Sequence, residues 1–230
     1  MKNLLTLSIA LLVFACLSAQ EKSFPINSIG QLEYAETVDS KLTQGQLYSN
    51  AQEWIARTFG DYKSVIQFEN KENGKLIIKG LSVLKTKAEF PNMVVTEKIN
   101  YIITIECKDN KFRYKIDGVD IARKITIIFS DTPLDLKLDS PDKHLELIEG
   151  SKEDIIRYRK TLDSIKLLNS SLLKKKQIKE NNAKAKEAEE DIASSLLSIK
   201  AEQDFFDEEY LIFNSIIISL KQAMNTDNTF

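Results

Sequence analysis

The chain has 230 residues, 43% hydrophobic and 29% charged, enough to bury a core in one domain or two small ones. Its 32 basic and 34 acidic residues leave a formal net charge of -2, which removes the electrostatic footprint expected of a nucleic-acid binder. One histidine and two cysteines exclude a zinc cluster of the usual nitrogen and sulfur kind.

Residues 1–19 read as a secretory signal peptide. Lys2 precedes an uncharged run from Leu4 to Phe14, and Leu17-Ser18-Ala19 forms a small-residue cleavage site before Gln20. The apolar run is too short to span a bilayer comfortably. Export to the periplasm or beyond the cell follows. The alternative is a lipoprotein anchored at Cys16, although Phe14 stands where a lipoprotein box usually has a small residue. Cleavage after Ala19 leaves Cys107 as the sole cysteine, so no internal disulfide forms and the core must supply the stability.

A first extended segment includes Gln31 to Val38, with Leu32, Tyr34, Glu36 and Val38 on one face. Thr43 is placed to cap a helix from Gln44 to Phe59, where Leu47, Tyr48, Ala51, Trp54, Ile55 and Phe59 recur at steps of three and four. Gly60-Asp61 ends it. Val65 to Glu69 begins a strand, and Glu72-Asn73-Gly74 suggests a three-residue hairpin loop setting Val65 opposite Leu81, Gln67 opposite Lys79 and Phe68 opposite Ile78. Thr86 to Asn92 reads as a connecting loop.

A second hairpin is better determined. Ile99, Tyr101, Ile103, Ile105 and Cys107 share a face, and a two-residue turn at Asp109-Asn110 pairs Cys107 with Phe112, Ile105 with Tyr114 and Ile103 with Ile116. The outer face then sets Glu106 opposite Arg113. After a turn at Asp117-Gly118, Ile121 to Phe129 adds a further strand. The segment 131–150 reads as a polar linker ending in the last glycine, Gly150.

From Ser151 onward, amphipathic stripes predict helices: Ile155, Tyr158, Leu162, Ile165, Leu168 and Leu172, then Ile192, Leu196, Ile199, Phe206, Tyr210, Phe213, Ile217 and Leu220. Asn181-Asn182 divides them. Charge is segregated: nine basic residues face three acids over 151–179, and ten acids face three basic residues over 180–210. That pattern predicts an antiparallel hairpin turning near Asn181. The division is therefore a domain over 20–130, a linker over 131–150 and a helical extension over 151–230. Through 151–224 the extension is expected to meet a protein partner or a second copy.

The residues from Phe24 to Tyr114 also resemble domain-of-unknown-function family 4468, described as having a TBP-like fold. The resemblance rests on FPINSIGQLEYAETV, LYSNAQEWIARTF, VIQFENKENGKLIIKG and YIITIECKDNKFRY, and on Tyr48, Trp54, Gly74, Gly80, Lys108-Asp109 and Arg113-Tyr114 within them. Asn110 stands where members often carry glycine. The resemblance implies an α+β fold, a β-α-β-β-β-β antiparallel sheet with one packed helix, and agrees with the elements read above. It implies no activity.

No catalytic, cofactor or metal residues emerge. His144, in the polar segment Pro141-Asp142-Lys143-His144, reads as a solvated loop histidine. Cys107, facing Phe112, reads as core. Asp117, Asp120, Asp131 and Asp135 lack the spacing of a calcium loop. Lys174-Lys175-Lys176 and Lys179 read as a wet helix face, and Phe205-Phe206 and Ile216-Ile217-Ile218 as core or an oligomer seam. The expected function is a non-enzymatic binding module of the cell envelope. The alternative is a small-ligand carrier or hydrolase with a site between helix and sheet, at Tyr101 and Tyr114.

Overall fold

The computed structural model describes residues 23–87, 93–127, 134–138, 141, 143–169 and 175–226. The expected signal peptide and Asp131 lie outside them. Six strands, β1 (Tyr34–Asp39), β2 (Ile66–Asn70), β3 (Lys75–Lys87), β4 (Met93–Lys108), β5 (Lys111–Ile127) and β6 (Leu134–Leu138), form one antiparallel sheet. Its order is β1-β5-β4-β3-β2, and β6 also pairs with β5. The helices are α1 (Gln44–Phe59), the single turn α2 (Tyr62–Val65), α3 (Lys143–Asn169) and α4 (Lys175–Met224).

α1 begins as its sequence dictates. The Thr43 side chain accepts from the Gln46 backbone N–H and the Gln46 side chain accepts from the Thr43 N–H, a reciprocal capping box. Leu47, Ala51, Trp54 and Ile55 are buried against the sheet. The facing layer alternates along the strands: Leu76 and Ile78, then Ile99, Tyr101, Ile103, Ile105 and Cys107, then Phe112, Tyr114 and Ile116. Gly80 lies opposite Tyr101, and a Cβ there would sit 2.0 Å from Cε2 of the Tyr101 ring. Only glycine lets that ring lie on the strand.

The second hairpin takes the register the sequence predicts, Cys107 to Phe112, Ile105 to Tyr114, Ile103 to Ile116 and Glu106 to Arg113, with Asn110 at φ 63° in the turn. The first hairpin does not. Asp61 caps a helical turn that draws in Val65, the loop runs from Lys71 to Gly74, and Ile66, not Phe68, faces Ile78. Asp117-Gly118 is not a turn either. One extra residue sits in β5 where the pairing passes from Asn100–Asp120 to Ile102–Asp117, and Gly118 takes φ 61° there. The bulge shifts the alternation by one, so that Ile121 and Arg123 join Ile116 on the buried face. β3 extends two residues into the expected Thr86–Asn92 loop, to Lys87, and β4 starts just after it at Met93.

The largest departures lie C-terminal. The expected linker holds β6, paired with Ile121–Ile125 of β5, and the first turns of α3, which starts at Lys143 and runs through Gly150. Asn181-Asn182 does not interrupt: α4 is one helix of 50 residues, about 75 Å at 1.5 Å per residue, which already starts at Lys175, and α3 ends at Asn169. The ion pairs Arg157–Asp154, Lys176–Glu180 and Lys186–Glu190 join neighbours on one helix, not the two arms. The last third of α4 is no appendage. Phe206, Phe213, Ile217, Leu220 and Met224 complete the core beside α1, and Trp54 Nε1 donates to Ser219 Oγ at 3.1 Å.

Candidate functional site

Two strand positions break the apolar rule on the buried face. Glu97 follows Val95 and precedes Ile99 in the inward alternation, and Arg123 does the same between Ile121 and Ile125. The two are direct cross-strand partners, and both are buried. Arg123 Nε donates to Glu97 Oε1 at 2.6 Å.

The helices supply the remainder. His144, two residues into α3, is fully buried. Glu202, Phe205 and Glu209 come from one side of α4 at helical steps. Arg123 Nη1 and Nη2 donate to Glu202 Oε1 and Oε2 at 2.6 and 2.8 Å, a bidentate fork. His144 Nδ1 lies 2.5 Å from Glu202 Oε2 and 3.0 Å from Arg123 Nη2, with the carboxylate the acceptor for both. On the other side of the ring, Nε2 faces Glu209 Oε1 at 3.3 Å and Glu97 Oε1 at 3.8 Å. Phe205 stacks on the imidazole, with centroids 6.0 Å apart and planes 12° apart, and the Arg123 guanidinium lies 4.9 Å from the centre of the same phenyl ring.

The electrostatics follow from burial set against partners. Burial pushes the Glu97 carboxyl up to about 7 against the pull of Arg123 and His144. Burial would depress the His144 imidazole, but its hydrogen bonds to Glu202 and Glu209 outweigh that and raise it to about 9. Burial likewise opposes ionisation of Glu202, yet His144 and Arg123 hold it down at about 2. The Arg123 pKa is raised despite burial by Glu202 and Glu97. Glu97, His144 and Glu209 place donor atoms within 4.8 Å of one another.

His144 is therefore not the solvated loop residue its neighbours in sequence suggest, because β6 and α3 carry it into the interior. Cys107 is fully buried, and burial pushes its thiol up to about 12. Tyr101 and Tyr114 are buried in packed space, the Tyr101 hydroxyl 3.1 Å from Ser82 Oγ and the Tyr114 hydroxyl donating to Glu36 at 2.7 Å. Asp117 pairs with Lys115, and Asp120 with Lys137 at 3.1 Å. Phe205 and Phe206 are both core, on opposite sides of the polar cluster's border, and Ile216 and Ile217 are buried while Ile218 is exposed. No helix among the described residues is long and apolar enough to cross a membrane.

Residues 34–121 match the model of a family described as a domain of unknown function (DUF4468) with TBP-like fold. Two solved structures are similar. One is a DUF4468 family protein from Bacteroides ovatus ATCC 8483, 15% identical, covering 50% of this chain and 64% of that one with a TM-score of 0.38. The other is a TBP-like protein from Parabacteroides distasonis ATCC 8503, 16% identical, covering 49% and 69% with a TM-score of 0.37. The chain thus spans less than two thirds of the first of these proteins. No curated protein matches it.

Proposed function

We propose that this chain, which carries the DUF4468 domain over residues 34–121, is an exported, non-enzymatic interaction module of the cell envelope whose helical hairpin associates with a second copy. The observation that carries the reading is the hairpin's outer surface. Leu145, Ile156 and Leu167 recur at steps of eleven along α3, three turns apart and so on one line, and they are 45%, 54% and 74% exposed. Leu196 on α4 is exposed as well. Below Glu202 the only fully buried residue of α4 is Ala188, so this half of the helix is committed to α3 and not to the sheet. An apolar line on a long polar hairpin is a natural seam for another helix.

Two measurements test this. Light scattering after size exclusion on the chain from residue 20 should give a dimer that Ile156→Glu with Leu167→Glu converts to a folded monomer with unchanged circular dichroism. A wild-type monomer throughout the micromolar range would remove self-association. Intact mass of the exported protein should place its N-terminus at Gln20, and a chain retained in the cytoplasm would overturn the compartment.

A further inference from the structure

The polar cluster is not closed by its own hydrogen bonds. Glu97 and Glu209 are fully buried, and each keeps one carboxylate oxygen, Oε2, with no hydrogen-bond partner among the described residues. Buried acceptors of that kind are uncommon in native proteins because each forfeits its hydration without return. Three carboxylates, those of Glu97, Glu202 and Glu209, crowd one guanidinium and one imidazole here, and their oxygens outnumber the donors that face them.

The donor geometry points the same way. Ligands about 2.0–2.1 Å from a tetrahedral zinc ion stand roughly 3.3 Å from one another. His144 Nε2 is 3.3 Å from Glu209 Oε1 and 3.8 Å from Glu97 Oε1. Its other nitrogen is held by Glu202, the carboxylate that orients a ligating histidine, so that an ion at Nε2 would replace only the proton shared with Glu209. Arg123 anchors both Glu97 and Glu202 and so fixes the outer shell.

From this geometry we infer that Glu97, His144 and Glu209 are the protein ligands of a buried structural zinc site tying β4 to the start of α3 and the middle of α4. An unpartnered Oε2 supplies the fourth position. A nitrogen ligand beside two carboxylates selects zinc over calcium or magnesium, which take oxygen sets. Because every ligand is buried, the ion enters as the chain folds.

The test unfolds the full chain in chelator and refolds it with and without one equivalent of zinc. One zinc per chain should remain after desalting, with a higher melting temperature. His144 is the only histidine, so the nitrogen-15 resonance of Nε2 reports on ligation without any substitution. It should shift on addition of zinc, and refolding with cobalt(II) should give the visible absorption of a four-coordinate site. Glu209→Gln should abolish stoichiometric retention, and Glu202→Gln should weaken it about 10–100-fold. An unmoved His144 resonance, or zinc retained equally by Glu209→Gln, would overturn the assignment.

Discussion

The buried face of the sheet has two halves built on opposite rules. Toward the Asp109-Asn110 turn, β4 and β5 point only apolar side chains and tyrosines inward, and α1 and the end of α4 cover them. Beyond the Gly118 bulge the same strands point Glu97 and Arg123 inward, and α3 and the middle of α4 meet them with His144, Glu202 and Glu209. One helix therefore serves both halves, with Phe213 and Leu220 in one and Glu202 and Glu209 in the other. Apolar burial is non-directional and grows with area. The polar half works only if every partner is in place, so it fixes where α3 starts and how α4 is phased.

The sharpest way to break the comparison is to remove α4. Truncation after Gly150 takes Phe206, Phe213, Ile216, Ile217, Leu220 and Met224 from the core. At roughly 1.5–3 kcal/mol per large apolar side chain, the six together contribute about 9–18 kcal/mol, as much as the about 5–15 kcal/mol that holds a typical domain together. Residues 20–150 should be unfolded by circular dichroism, and a folded product would mean that the two halves are independent. Within the apolar half, Phe213→Ala and Trp54→Ala should each cost about 3–5 kcal/mol in urea unfolding.

The polar half should respond with coupling. Arg123→Ala leaves Glu97 and Glu202 buried without their counter-charge and should cost about 3–5 kcal/mol. Glu97→Ala combined with it should cost less than the two singles added, by about 0.5–3 kcal/mol, since the second change removes a charge the first left unpaired. Additive costs would mean that the ion pair is incidental. By contrast, Phe213→Ala and Ile78→Ala, which rest on area, should come closer to adding.

How much of this was legible depends on how local the determinants are. The β4–β5 register could be read because the Asp109-Asn110 turn and the alternation of Ile99 to Cys107 both impose it. The β2–β3 register could not, because the Asp61 cap competes for Val65. Asn181-Asn182 looked like a break, yet asparagine costs only about 0.7 kcal/mol in a helix, which packing against α3 outweighs. His144 was invisible as a buried residue because its partners Glu202 and Glu209 lie 58 and 65 positions away. A weaker signal was present. Glu97 and Arg123 fall in phase with the inward apolar residues of their strands, and a charge at such a position must find a partner inside.

Cys107 offers a probe of the apolar half alone. With its thiol raised to about 12 by burial, it should not react with a thiol reagent at pH 8 in the native protein. Phe213→Ala should speed labelling by loosening the core, whereas Glu202→Gln should leave it unchanged if the two halves open separately. Equal acceleration would merge them into one cooperative unit.

The smallest effect expected is at the rim, where Glu36 on β1 ties the apolar half to the end of α4. Its Oε2 meets Lys221 Nζ at 2.5 Å and accepts from the Tyr114 hydroxyl at 2.7 Å. The Lys221 and Tyr114 hydrogen bonds lower its pKa, against a small opposing effect of burial. A carboxyl lowered on folding adds stability that is full above its unfolded value, about 4.3, and is lost as pH falls through the folded value. Glu36 is largely exposed, so solvent screening holds the gain below about 1 kcal/mol. Glu36→Gln should therefore lower stability slightly at pH 7 and converge with wild type under acid. A penalty as large as that of Arg123→Ala would show that charge, and not area, holds the end of α4 in place.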